Sequence, residues 1–481
     1  MTPLVTPVWK DVIKKHSGVL FVCDDGRVID SGMIGDSGLR KAAKDTSRRL
    51  VLCFCDNRPD SLLGYLAFLA CGAVPLVVGI GITEMQLKDL LDAYSPDFVW
   101  IPVSRQSEVP ASRALYHFEE YCLLGIDSKC SYALHDSLAL LLSTSGSTGS
   151  PKFVRLSAEN ISSNAISISE YLEITSDEKP ITTLPPSYTY GLSIIHSHIL
   201  KGAPIALTNQ TFFNRGFWDF LNASGATSFG GVPYHYEMLQ KLKFSRMDLP
   251  SLRTLTQAGG KLAPETTREV AEDCVRRGIR FFTMYGQAEA TARMSYLPHN
   301  RAIEKAGSIG RAISGGEFWL EDESGQRVAG PEATGQLVYR GKNVCMGYAE
   351  SYRDLCRGDD FGGVLRTGDL ARRDGEGDYY IIGRKKRFLK IFGHRINLLD
   401  VEEMLARFGY DVACGGRDDL LLVYVVKPDA GGPQRMKEKL VTELKVAPGA
   451  VRIFGVSDLP RNEAGKIQYG QLEESTQVAL A

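Results

Sequence analysis

The 481 residues predict an α/β fold, with a large N-terminal domain of stacked α/β sheets and a small α+β domain after it. Three observations predict it. Strand-like and helix-like runs alternate through the first part of the chain, the rhythm of sheets with helices on their faces. From about position 305 the pattern turns to short strands with glycine turns, a β-rich subdomain. After Lys385–Lys386 it changes again, to helix, strand and helix. The chain is too long for one ordinary core, and the boundary divides residues 1–385 from 386–481. A short charged hinge there suits a domain that rotates.

The elements follow in order. "RRLVLCFCD" (48–56) is a buried strand, which would put Cys53 and Cys55 on one face. "PDSLLGYLAFLACGAVPLVVG" (59–79) starts a helix with Asp60 as N-cap, breaks at Gly72 and re-enters a strand. "TEMQLKDLLDAY" (83–94) has helical spacing and "PDFVWIP" is a strand. "SLALLLSTSGSTGSPKFVRLS" (137–157) is a strand, a glycine-rich loop and a second strand, followed by a helix capped by a serine. "ATSFGGVPYHYEMLQKL" and "LRTLTQAGGKLAPETTREVAEDCVRRG" repeat strand, glycine loop and helix. "IRFFTMYGQAEA" (279–290) is a strand ending in a loop; "GEFWLED", "GQLVYRG" and "GDYYIIG" are the short strands. "NLLDVEEMLARFGY", "DDLLLVYVVK" and "PQRMKEKLVTELK" make the C-terminal helix, strand and helix.

Composition excludes several classes. Formal net charge is -1, with no basic block, so neither nucleic acid nor an anionic membrane is an expected partner. Ten cysteines are scattered without C-x-x-C or zinc-like spacing, and read as buried thiols of a reducing compartment. No apolar run approaches the ~20 residues of a membrane span, and the N-terminus lacks a signal-peptide core. The expected location is cytoplasmic.

The loop "STSGSTGSPK" (143–152) carries the chemistry. A buried strand feeds it directly, which argues against a linker. Glycines let backbone N–H groups converge on a phosphate, hydroxyls add donors, and Lys152 adds a mobile charge. The spacing is not that of a Walker loop. Taken alone, the run is a phosphate loop or an ordinary surface turn.

Four further motifs follow it in order: "YGQAEA" (285–290), "RTGDL" (366–370), "GRKKRFLKIFGHRI" (383–396) and "LPRNEAGKI" (459–467). Together the five resemble the adenylate-forming superfamily of acyl-CoA synthetases, luciferases and peptide-synthetase adenylation domains, over nearly the whole chain. The chain looks like its stand-alone bacterial acyl-activating ligases, including the coronafacate-ligase type. The resemblance implies ATP-dependent activation of a small carboxylic acid to an acyl-adenylate, with pyrophosphate released and Mg²⁺ as cofactor. It assigns the phosphates to Thr144, Ser145, Gly146, Ser147, Thr148, Gly149 and Lys152, and the magnesium to Glu289. Tyr285, followed by Gly286 and Gln287, would pack on adenine; Gly259 and Gly260 would let the nucleotide lie against the backbone. Asp369 and Arg384 would contact the ribose. Lys466 would bridge the acid and the α-phosphate, Lys386 would be the pivot, and Gly393 would line a tunnel for an incoming thiol.

The resemblance also bears on the substrates. Ala288 stands where the family usually has Thr, which removes a hydroxyl contact worth ~0.5–1.5 kcal/mol. Thr291 or Gln287 would compensate in part. Thr189 falls where enzymes for α-amino acids carry an ammonium-binding Asp, so a free α-amine is disfavoured. Tyr188, Tyr190, Phe229, Gly230, Gly231 and Met284 line the expected pocket and suit an apolar or cyclic acid. His196 and His198, two apart on a helix, would not share a face to hold a metal. The acceptor is a thiol, on CoA or a separate carrier protein, or alternatively a small amine that captures the adenylate.

Overall fold

The structure is a computed structural model that describes residues 9, 11–12, 18–35, 38–127, 131–143, 152–384, 387–391, 394–406, 408–444, 446–461 and 467–474. Packing divides the chain into two units: Met1–Phe318 with Tyr339–Leu365, and Trp319–Val338 with Arg366–Ala481. The strands just before the expected hinge are thus grouped with the C-terminal residues. Lys386 itself lies outside the described residues.

The first unit is built on an eight-stranded sheet. Its order is Tyr348–Ala349, Phe153–Ser157, Leu138–Ser143, Val74–Gly79, Leu50–Cys55, Phe98–Pro102, Tyr121–Ile126 and Ser112–Phe118. The centre is parallel and the outer pairs antiparallel. Leu50–Cys55 is buried at every position, because helices cover both sheet faces, so Cys53 and Cys55 are buried together. The helix Pro59–Cys71 corrects one expectation. Its N-cap is Arg58, and proline at the first helical position sets the start. Asp60 sits in the first turn, buried, and burial raises its carboxyl pKa. Gly72 ends the helix in the left-handed region, where glycine alone is unstrained.

A second sheet of five strands runs Ser228–Gly231, Thr254–Gln257, Arg280–Tyr285, Ser295–Leu297 and Arg311–Ala312. Its first three strands are parallel and then it reverses, so Arg280–Tyr285 ends at a change of direction. Loops at the carboxyl ends of parallel strands are where such sheets bind ligands. The serine cap expected before the helix Ala158–Tyr171 is present as a capping box between Ser157 and Asn160.

In the second unit, Asp369–Arg373 pair with Tyr379–Arg384, and Leu320 and Glu321 pair with Val328 and Arg327. A three-stranded sheet of Val412–Arg417, Leu420–Val426 and Val451–Val456 carries the helices Leu398–Ala406 and Gly432–Leu444. Arg387 anchors these C-terminal elements. Its guanidinium takes both oxygens of Glu402 at 3.1 and 2.8 Å and stacks on Tyr469.

Nine of the ten cysteines are described and none forms a disulfide. Seven are buried, but Cys356 is exposed, against the expectation of buried thiols throughout. Among the described residues no helix is long and apolar enough to cross a membrane.

Candidate active site

The glycine-rich loop joins two adjacent antiparallel strands, with Ser143 paired to Phe153. Thr144, Ser145, Gly146, Ser147, Thr148 and Gly149 lie outside the described residues, as do Lys386, Gly393 and Lys466. Lys152 is described. Its ammonium sits 3.7 Å from the centre of the Tyr348 ring, a cation–π contact. The Tyr348 hydroxyl donates to Glu289 Oε1 at 2.9 Å. Burial, and then the Glu289 charge, push the Tyr348 phenol up in pKa, so it stays a donor. One aromatic residue thus holds the loop lysine and the motif carboxylate together.

Tyr348 is in that position because of Arg155. This arginine is fully buried in the strand after the loop. It donates to the carbonyls of Tyr348 at 3.0 Å, Met346 at 2.9 Å and Arg357, and to Asp360 Oδ2 at 2.6 Å. The four bonds staple residues 346–360 onto the loop's exit strand. Gly347 completes the fit, since a Cβ there would lie 2.6 Å from Asp360 Oδ2.

Glu289 sits on a tightly wound loop. Strand Arg280–Tyr285 leaves the sheet, a short 3₁₀ turn covers Ala288–Ala290, and the chain returns as Ser295–Leu297. The reversal passes through Thr291 at φ 66° and ψ −58°, with Ala292 N donating to the Ala290 carbonyl at 2.7 Å. That is a γ-turn of the rare hand, strained for a β-branched residue. Gly286 permits it: a Cβ there would lie 1.7 Å from the Ala292 carbonyl oxygen. Buried amides hold the turn. Asn343 Nδ2 donates to the carbonyls of Ala290 and Arg293, both at 3.0 Å, and Asn164 Nδ2 donates to Arg293 O at 2.8 Å. The Thr291 hydroxyl donates to Asn343 O at 2.7 Å, so it is committed to the turn and does not stand in for the hydroxyl missing at Ala288. Gln287 Nε2 donates to Tyr285 Oη at 3.2 Å.

Tyr285 also packs against Phe318. Gly259 takes φ 84°, and a Cβ there would lie 2.5 Å from Tyr188 Oη. Its neighbour Gly260 is tied down by Gln257, whose Nε2 donates to the Gly260 carbonyl at 2.9 Å. In the second unit Asp369 and Arg384 are cross-strand partners, with Arg384 Nε donating to Asp369 Oδ1 at 2.7 Å.

On the acid side, Tyr188 stands edge-on to Tyr190, and burial pushes its phenol up to about 12. Tyr190 Oη donates to the Thr256 carbonyl at 2.8 Å and packs against Gly230, where a Cβ would lie 2.8 Å from that hydroxyl. Phe229 and Met284 are buried, and a Cβ at Gly231 would lie 2.9 Å from the Tyr236 ring. His196 bonds Tyr65 Oη at 2.8 Å while His198 bonds the Ile194 carbonyl at 2.8 Å, so the two rings serve separate networks. Burial lowers them to about 3 and about 4, and both rings stay neutral.

No cluster of three or more His, Cys, Asp or Glu among the described residues is arranged around an ion. Glu289 fits magnesium in another way. One of its oxygens accepts from Tyr348, leaving Oε2 for a hard cation, which takes one or two carboxylates together with phosphate oxygens.

Sequence reasoning missed Tyr348, Arg155, Asn343, Asn164 and Arg293. The "GY" at 347–348 was the one local signal, a glycine before an aromatic residue at the end of a strand-rich segment.

Comparison with known proteins assigns the family and the fold. The family model described as AMP-binding enzyme matches residues 37–349. The chain is 30% identical over 350 residues to an indoleacetate–CoA ligase of Aromatoleum aromaticum, covering 70% of this chain and 66% of that enzyme. It is 28% identical over 358 residues to a 2-succinylbenzoate–CoA ligase of Bacillus subtilis, covering 72% and 70%. The fold matches the o-succinylbenzoate CoA synthetase of Bacillus subtilis in complex with the acyl-adenylate intermediate OSB-AMP. The TM-score is 0.78 at 21% identity, over 98% of this chain and 99% of that one. ATP-bound MatB from Rhodopseudomonas palustris gives 0.77 at 20% identity, over 98% of each chain. The fold is that of the adenylate-forming enzymes, and the chain belongs to the AMP-binding enzyme family.

Proposed function

We propose that this chain is an AMP-forming acid–thiol ligase. A carboxylate oxygen of a small acid attacks the α-phosphate of ATP, the bond to the β-phosphate breaks, and pyrophosphate leaves. The thiol of CoA, or of a carrier protein's phosphopantetheine, then attacks the acyl carbonyl and AMP leaves. The observation that carries this reading is the contact chain from Lys152 through Tyr348 to Glu289. It links a cation from the loop to Glu289 through one ring, which is what gripping a triphosphate requires.

The remaining roles belong to the same proposal. Thr144, Ser145, Gly146, Ser147, Thr148 and Gly149 offer donors to the β- and γ-phosphates, and Lys152 turns from the Tyr348 ring toward them. Magnesium, when bound, would neutralise phosphate oxygens, with Glu289 as its protein ligand. Tyr285 covers adenine, flanked by Gly286 and Gln287, and Gly259 and Gly260 leave room for it. Asp369, oriented by Arg384, accepts from the ribose hydroxyls. Lys466 meets the charge developing between carboxylate and α-phosphate. Rotation of residues 386–481 about Lys386 would exchange it for the segment with Gly393, which leaves space for the thiol. Tyr188, Tyr190, Phe229, Gly230, Gly231 and Met284 bound the acid.

The relatives named as CoA ligases support a thiol acceptor. Magnesium-dependent pyrophosphate release across a broad panel of acids tests the first half-reaction; no release with any acid overturns the proposal. Mass spectrometry of products formed with CoA, a phosphopantetheinylated carrier or free amino acids tests the second. An amide in place of a thioester would replace the thiol by an amine.

A further inference from the structure

Arg293 is 2% exposed and lines a small cavity of about 20 Å³ with His198, Glu178, Phe229, Gly230 and Thr256. Its polar contacts are few. Nη1 donates to Tyr171 Oη at 3.0 Å and lies 3.3 Å from Met284 Sδ, and the guanidinium stacks 5.0 Å from the Tyr190 ring centre. Its Nε has no hydrogen-bond partner, and no carboxylate among the described residues is paired with it.

A guanidinium withdrawn from water without a counter-anion is costly, and such charges are normally matched. Glu178 lines the same cavity, but it makes no ion pair with Arg293 and its Oε2 already accepts from Thr227 Oγ1. The unpaired Nε edge is half of the fork with which arginine takes a carboxylate by two parallel bonds. The surroundings say where such an anion would come from. Phe229 and Gly230 line the cavity, while Tyr190 and Met284 touch Arg293, and all four belong to the expected acid pocket.

We infer that the acid is a dicarboxylic acid: one carboxylate is activated while Arg293 binds the second at this cavity. The inference rests on the acid-activating reading above. Arg293 is therefore a specificity residue that offers a cation to the acid pocket.

Matched acids test it: glutarate, adipate and homophthalate against valerate, hexanoate and phenylacetate. Two readouts are used, pyrophosphate release with ATP and Mg²⁺, and the thermal midpoint with each acid alone. The wild type is expected to favour the dicarboxylates at least tenfold in kcat/KM. Arg293→Gln abolishes that preference, mainly through KM. Arg293→Lys retains part of it even where the glutamine variant folds poorly, and Glu178→Gln, which removes the cavity's own negative charge, strengthens it. Monocarboxylates used equally well by the wild type, or a folded Arg293→Gln enzyme with its preference intact, overturn the inference. Pyrophosphate from monocarboxylates alone sinks the second-carboxylate site and leaves acid activation standing. Arg293-dependent thermal shifts without pyrophosphate do the reverse. Neither shift nor pyrophosphate overturns both.

Discussion

The corner at Glu289 and the cavity at Arg293 lie four positions apart in sequence and are built on opposite principles. At Glu289 every neighbour is tied: a strained turn is held by two buried amides, and the carboxylate takes a hydroxyl from Tyr348. At Arg293 a buried charge keeps an unused donor, and the cavity it lines also holds polar groups that do not pair with it. A group that performs the same step on every substrate can be locked in advance. A group that must accept part of a variable substrate has to keep a bonding site vacant. On the proposed reading, a strained and tightly bonded turn marks the reaction centre, with one carboxylate oxygen kept for magnesium, and an unpaired buried cation marks the end that selects.

Glu289→Gln should break the first half of that contrast most severely. The amide keeps the shape and can still accept from Tyr348, but it removes the charge that would meet magnesium. Adenylation is expected to fall by about 10²–10³, the range for losing one preorganised electrostatic contact, with the thermal midpoint nearly unchanged. Tyr348→Phe comes next. The ring still lies under Lys152 but the bond to Glu289 is gone. A hydrogen bond to a charged group is worth about 1.5–3 kcal/mol, so initial rates should drop about ten- to a hundredfold. A drop in stability without a drop in rate would reduce Tyr348 to a packing residue.

Acid should break the other half first. His198 lines the Arg293 cavity and His196 lies on the same helix, both with pKa values lowered from 6.5 by burial. A neutral ring in the fold and a titrating ring in the unfolded chain favour folding above about pH 6.5. That contribution is lost as pH falls from 6.5 toward the folded values of about 4 and about 3. Thermal midpoints measured from pH 7.5 down to 4.5 should decline, and His198→Asn should flatten the decline. The smallest effect is expected from Ala288→Thr. A restored hydroxyl is worth ~0.5–1.5 kcal/mol, so the adenylation rate should rise a fewfold. An unchanged rate would remove this position from the phosphate site.

The same contrast explains what could be read from the sequence. The sheet and helix order was legible because each element announces itself locally, as in the buried strand Leu50–Cys55 or the serine-capped helix Ala158–Tyr171. Lys152 and Glu289 were legible as motif residues. Their link was not, because Tyr348 meets Glu289 from 59 positions away, and Arg155 reaches residues about 200 positions on. Arg293 carries no local signal at all. An arginine in "EATARMSYL" reads as surface charge until the fold buries it. The start of the helix Pro59–Cys71 was misread for a smaller reason: Asp60 has the chemistry of an N-cap, but Pro59 fixes the first turn two residues earlier, with Arg58 as the cap.

The most direct test is ATP–pyrophosphate exchange by the wild-type protein, run with and without Mg²⁺ over the acid panel. Exchange that requires both an acid and Mg²⁺, and that collapses in Glu289→Gln, is the predicted result. Exchange that is absent with every acid, or equally fast in Glu289→Gln, would contradict a reaction centre at this corner.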